Sequence, residues 1–180
     1  KPKESSPQVF ITDQPRDGVF TVALNVADDL STDNRASIVS LLPTPTKVLL
    51  VSAGNRFLEK AIKAIPTVEM ATVSQLTDNA EGYDVVVLDN LLPATWPKPN
   101  VVAIHVVHTN LFTGWKTIEA PPIVDWKSSH ALLRFVNFDN VGIAEALAVK
   151  TPSWALPLVE SPTTPLILAG ELNRDRLGWI

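Results

Sequence analysis

Lys47-Val48-Leu49-Leu50-Val51-Ser52-Ala53-Gly54-Asn55 opens an alternation of strands and helix in this chain. Val48 to Val51 form a short continuous apolar run, as in a strand buried on both faces, and Ser52-Ala53-Gly54-Asn55 supplies a turn. A helix is expected next. Asn55 suits the N-cap, Phe57, Leu58, Ala61, Ile62 and Ile65 recur on one helical face, and Pro66 stops the pattern. A second strand is expected over Val68 to Val73 and a third over Tyr83 to Asp89, whose unbroken centre Val85-Val86-Val87-Leu88 suits a parallel sheet covered by helices on both sides. Strand, helix, strand, strand is the rhythm of an open α/β fold with a mixed, mainly parallel sheet.

Upstream, Val19 to Val26 alternates with a period of two, placing Phe20, Val22, Leu24 and Val26 on one face of a half-buried strand. Arg35 to Leu42 reads as a second, more completely buried strand, pairing with the first as a hairpin. Two strands alone are marginal in water, so the hairpin is expected to pack on the downstream domain or to close a β-sandwich lying upstream. Pro43-Thr44-Pro45 marks the boundary between a β-rich segment, 1–45, and an α/β domain, 46–180. Downstream, Val101 to Val107 is expected as a strand, Ser128 to Phe135 as a short helix and Val141 to Val149 as a strand. Leu156 to Glu160, Pro165 to Glu171 and Arg176 to Ile180 read as consecutive strands, the last two joined by a hairpin turn. The chain starts without Met or an apolar leader and stops inside a strand-like run, so a piece of a longer protein, truncated at its C-terminus, is expected.

Composition narrows the function. Fifteen Lys and Arg against 19 Asp and Glu leave a formal charge of −4, which disfavours nucleic-acid binding. The absence of cysteine excludes disulfides, thiolate metal sites and a cysteine nucleophile. No apolar run approaches the roughly 18 residues of a membrane-spanning helix.

The candidate chemistry is sparse. The Ser52 to Asn55 turn has one glycine where a dinucleotide loop uses three, and Ser52 lacks the first glycine of a hydrolase elbow. Asp89 ends a strand at the same sheet edge, so Ser52, Asn55 and Asp89 are the candidates to line a crevice there. His105 and His108, three apart in a strand, would point to opposite faces, and no metal site, cofactor or catalytic residue is expected. The acidic loop from Asp28 to Asn34 lacks the central Gly and terminal Glu of a calcium loop and reads as solvated. The five tryptophans, Trp96, Trp115, Trp126, Trp154 and Trp179, read as seals of loops over a core, with a partner or carbohydrate surface as the alternative.

Two stretches, 28–36 and 47–61, together resemble the region behind the von Willebrand factor A domain in large bacterial membrane proteins of the Bat aerotolerance type. Tyr83 to Asp89 with Pro93, Trp96 and Pro97, then His130 to Arg134 and Pro165 to Ala169, are similar to later segments of that family. The resemblance implies a class I glutamine amidotransferase-like, flavodoxin-like domain preceded by the closing strands of a sandwich. Amidotransferases need a cysteine that this chain lacks, so a non-catalytic interaction or scaffold domain, not an enzyme, is the expectation. The implied setting is the extracytoplasmic face of a bacterial membrane, anchored by segments outside this chain. The implied partners are the upstream von Willebrand factor A domain and a MoxR-type ATPase. The alternative is a hydrolase or small-ligand binder using the crevice near Asn55 and Asp89, with Asp89 and a histidine as acid and base.

Overall fold

A computed structural model describes residues 6–26, 29–30 and 32–180. The chain start at 1–5 and, within the acidic loop, Asp28 and Ser31 lie outside the described residues, and with them the reading of that loop as calcium-like or solvated. The chain divides into two compact units, Lys1–Thr44 and Pro45–Ile180.

The first unit is a hairpin of β1 (Gly18–Ala23) and β2 (Arg35–Ser40), antiparallel with Val19 opposite Val39 and Phe20 opposite Ile38. The Gln14 amide and Ser40 exchange two hydrogen bonds, at 2.7 and 2.8 Å, and tie the approach segment to β2. The sequence suggested half-buried and buried strands, but Val19, Val22, Ile38 and Val39 are all exposed. The cause is that a two-stranded ribbon has no second layer of its own to cover either face.

The second unit is built on an eight-stranded sheet in the order β4-β3-β5-β6-β12-β11-β10-β8. Its strands are β3 (Thr46–Val51), β4 (Val68–Val73), β5 (Val85–Asp89), β6 (Asn100–Ile104), β8 (Asp125–Trp126), β10 (Ala155–Glu160), β11 (Pro165–Leu172) and β12 (Asp175–Trp179). β4, β3, β5, β6 and β12 run parallel, and β12, β11, β10 and β8 continue antiparallel. The expected mixed, mainly parallel α/β sheet is therefore what the chain forms. β7 (Trp115–Glu119) and β9 (Glu145–Val149) make a separate antiparallel ribbon.

Alternation along the parallel strands produces two cores. Val48, Leu50 and Val87 face α1 (Arg56–Lys63) through Leu58 and Ile62, while Leu49, Val51, Val86, Leu88, Val101 and Ala103 face the other way. That second face is not covered by a helix, which corrects the expectation of helices on both sides. Leu76, Ala80, Val106, Leu111 and Phe112, all from connections, cover it instead. Phe57, expected on the buried stripe of α1, is 88% exposed. The helix is only two turns long, so only the i and i+4 pair, Leu58 and Ile62, reaches the sheet.

Further corrections fall where local pattern was weak. Ser128 to Phe135 forms turns rather than a helix, with bonds from Leu133 N to His130 O and from Val136 N to Leu133 O, each spanning three residues. β7 and β8 were not foreseen. β6 ends at Ile104 because His105 turns into the left-handed region at φ 53°, so His105 and His108 do not share a strand as expected. Of the tryptophans, Trp179 is buried, Trp96, Trp126 and Trp154 are half-buried, and Trp115 is exposed. Among the described residues no helix is long and apolar enough to cross a membrane.

Candidate functional site at the carboxyl edge of the sheet

The chain leaves β3 through α1 to β4 on one side and then returns to β5 on the other side of β3, so strand order reverses at β3. The connection through α1 covers one face, and the connection carrying Leu76 and Ala80 covers the opposite face. Such a reversal opens a crevice at the carboxyl ends of the two strands. Ser52, Gly54, Asn55, Asp89, Asn90 and Leu91 line a crevice of about 530 Å³ there, with Arg56 and Phe57 at its rim.

Register explains how its polar groups meet. Val51 pairs with Leu88, so the next residues, Ser52 and Asp89, fall opposite one another across the end of the ladder. The buried Ser52 hydroxyl donates to Asp89 Oδ2 at 2.6 Å and accepts the Gly54 N–H at 3.1 Å. Gly54 sits at φ 123°, where a β-carbon would be strained, which accounts for the one glycine in the turn. Asn55 caps α1 through its Oδ1, accepting the Phe57 and Leu58 N–H groups, both at 3.2 Å. Those two donors are spent on the cap rather than left for a phosphate, in keeping with the missing glycines.

On its other side β5 pairs with β6, where Asp89 lies opposite Ile104, which sets Asn90 opposite His105. Both residues adopt left-handed backbone conformations, φ 52° and 53°. His105 Nδ1 lies 3.1 Å from Asn90 Oδ1, and the His105 N–H donates to Ile180 O at 2.7 Å. Its Nε2 is buried without a hydrogen-bond partner, 3.8 Å from Glu145 Oε1 on β9. His105 and Glu145 also line an apolar recess of about 470 Å³, with Ile104, Ile143, Leu147 and Ile180.

The structure thus places Ser52, Asn55 and Asp89 on one crevice. Sequence reasoning missed Asn90 and Glu145, and weighed His105 only as a metal ligand with His108. The signal for Asn90 was present, since Asn after an apolar run tolerates a left-handed turn. The meeting of His105 with Asn90 had no such signal, since His105 lies inside the apolar run Val101 to Val107. No histidine is hydrogen-bonded to Ser52 or Asp89 among the described residues, so a Ser-His-Asp relay is not assembled. His108 accepts the Asn110 N–H at 3.1 Å, His130 the Leu132 N–H at 3.3 Å, and each serves its own turn. No group of three or more His, Asp or Glu among the described residues could hold a metal ion.

The Ser52 to Asp89 bond has a measurable consequence. Asp89→Ala leaves a buried hydroxyl without its acceptor and should cost about 1–3 kcal/mol, whereas Asp89→Asn keeps an acceptor and should cost less. Urea unfolding of the two variants reads this directly. Equal losses would mean that the bond does not hold the edge.

The chain matches no protein-family model and no curated protein. Among solved structures it is similar to a protein of Thermoplasma acidophilum described as a candidate GMP synthase subunit, at 12% identity and a TM-score of 0.47, covering 74% of this chain and 82% of that one. That structure is described as a subunit of an enzyme, which runs against the expectation of a non-enzyme and assigns no activity to this chain.

Proposed function

We propose that this chain binds a small polar molecule in the crevice between the ends of β3 and β5, anchored on Asp89. The observation that carries the reading is the arrangement at that edge. Asp89 Oδ2 is bound by the buried Ser52, its other oxygen is left for a ligand donor, and the adjoining Asn90 and His105 turn the chain through left-handed conformations beside it. A carboxylate accepts, so the ligand must bring an amine or hydroxyl. Arg56 at the rim suits an anionic group on the same ligand, and the exposed Phe57 ring suits an apolar portion.

The test is a titration of ¹⁵N-labelled protein with free amino acids, polyamines and monosaccharides. Saturable shifts of the Ser52 to Phe57 and Asp89 to Leu91 amides, lost in Asp89→Asn, support the reading. Shifts confined to other regions, or none from any of the three classes, overturn it.

The wider setting is a separate proposal supported by the sequence resemblance alone: a membrane-anchored bacterial protein with a von Willebrand factor A domain, this part lying outside the cytoplasm and working with a MoxR-type ATPase. Cleavage of this domain by protease added to intact spheroplasts tests the placement; full protection would refute it.

A further inference from the structure

The ribbon of β7 and β9 leaves one side of β7 open, since among the described residues β7 pairs with β9 and with no other strand. Which groups face that side follows from Thr164. Its Oγ1 accepts the Val149 N–H at 2.9 Å, so Val149 turns its backbone away from β7, and Trp115 opposite it is in a non-hydrogen-bonded pair. The hydrogen-bonded pairs are then Lys116 with Ala148 and Ile118 with Ala146. The bond from Ala120 N to Ala144 O, at 2.8 Å, continues the same alternation. Trp115, Thr117 and Glu119 therefore direct N–H and C=O outward, two residues apart, and none of these groups has a partner among the described residues. This is the template that an added strand requires.

The side chains around this edge select by charge. Lys116 is opposite Ala148, and Lys150 lies two residues beyond Ala148, so the two lysines are diagonal neighbours on one face. Both are exposed and neither forms a salt bridge among the described residues. With Thr113, Trp115 and Thr163 they line a groove of about 440 Å³ that no carboxylate enters. In a chain of net charge −4, this is a local cationic groove beside an open edge. Trp115, 44% exposed, adds an apolar platform.

We infer that the open edge of β7 takes an extended acidic peptide by strand addition. Main-chain bonds to Trp115, Thr117 and Glu119 would supply affinity, and Lys116 and Lys150 would supply the preference for Glu or Asp at alternate positions of the partner. Glu119 lies at the far end of the strand, so the acidic positions belong at the Trp115 end. Lysine on an edge also discourages pairing between neutral strands, which favours a charged partner over a second copy.

The test is fluorescence anisotropy with labelled peptides: one of alternating Val and Glu, its Val and Lys counterpart, and the Glu peptide N-methylated at alternate residues. The Glu peptide should bind saturably and the Lys peptide should not. N-methylation should weaken binding about tenfold or more, the loss of one or two hydrogen bonds. Lys116→Glu with Lys150→Glu should invert the charge preference. Thr117→Pro should match N-methylation, because the Thr117 N–H points outward and its removal leaves the ladder to β9 intact. The N-methylated peptide makes the same test on unaltered protein. Equal binding of Glu and Lys peptides, indifference to N-methylation, absence of saturation, or dimerisation of the chain abolished by Thr117→Pro would each overturn the inference.

Discussion

Trp179→Ala should lower the stability of the α/β unit by about 3–5 kcal/mol, the cost of emptying a large buried aromatic site. Trp179 is 2% exposed, the last residue of β12, and its ring centre is 5.0 Å from that of Phe112. Its indole N–H donates to Val106 O at 2.6 Å, a bond from the sheet to the loop that covers the helix-free face. Trp179→Phe separates the two contributions. It keeps most of the ring volume and loses the donor, so it should cost about 1–3 kcal/mol for the unsatisfied buried carbonyl. In thermal unfolding each kcal/mol corresponds to about 2–4 °C for a chain of this size. If Trp179→Phe melts with the parent, the indole bond does not hold the loop.

Gly170→Ala is the second large effect, expected near the upper end of the usual overpacking cost, about 3 kcal/mol. A β-carbon on Gly170 would meet Trp154 O at 1.9 Å, Trp154 C at 2.9 Å and Ala155 Cα at 3.0 Å. All three are backbone atoms, so no rotamer change relieves the clash and the start of β10 must move. Trp154 packs edge-on against Phe112 with ring centres 6.2 Å apart, so the movement reaches the same covering loop. Gly178→Ala is the control, because its nearest neighbours would be at 3.9 Å, an ordinary contact. Urea midpoints should fall for Gly170→Ala and stay within about 1 kcal/mol of the parent for Gly178→Ala. A matched pair of losses would show that the clash at Gly170 does not set the cost, since propensity alone favours Ala over Gly in a strand.

The two substitutions touch the half of the molecule that was hardest to read from residues. The amino-terminal part of the α/β unit was legible because its determinants are local. The Asn55 cap reaches two and three residues along the chain, and β4 runs over Val68–Val73 as its pattern indicated. The site edge was partly legible for the same reason, since Ser52 and Asp89 each follow an apolar strand. Segment 128–135 has apolar residues at helical spacing, yet only Leu133 is buried, in the cluster with Leu158, Val159 and Leu166. A segment this short gains too little from its own helical bonds to outweigh local turns, such as the one that His130 caps.

The class of the sheet, the strand to helix turn with its cap, and the apolar runs that became the two cores were written in the residues, since each depends on neighbours a few residues away. The folded sheet was needed to show that Ser52 meets Asp89 across 37 residues and that Asn90 meets His105 across 15. It alone decided that Glu145 faces the same imidazole, that loops rather than a second helix cover one face, and that β7 keeps an open edge. The physical reason is register and layer order. A strand's pattern specifies which face a residue occupies, but its partner across the ladder is set by which strands pair and where, a choice made by the packing of the whole sheet.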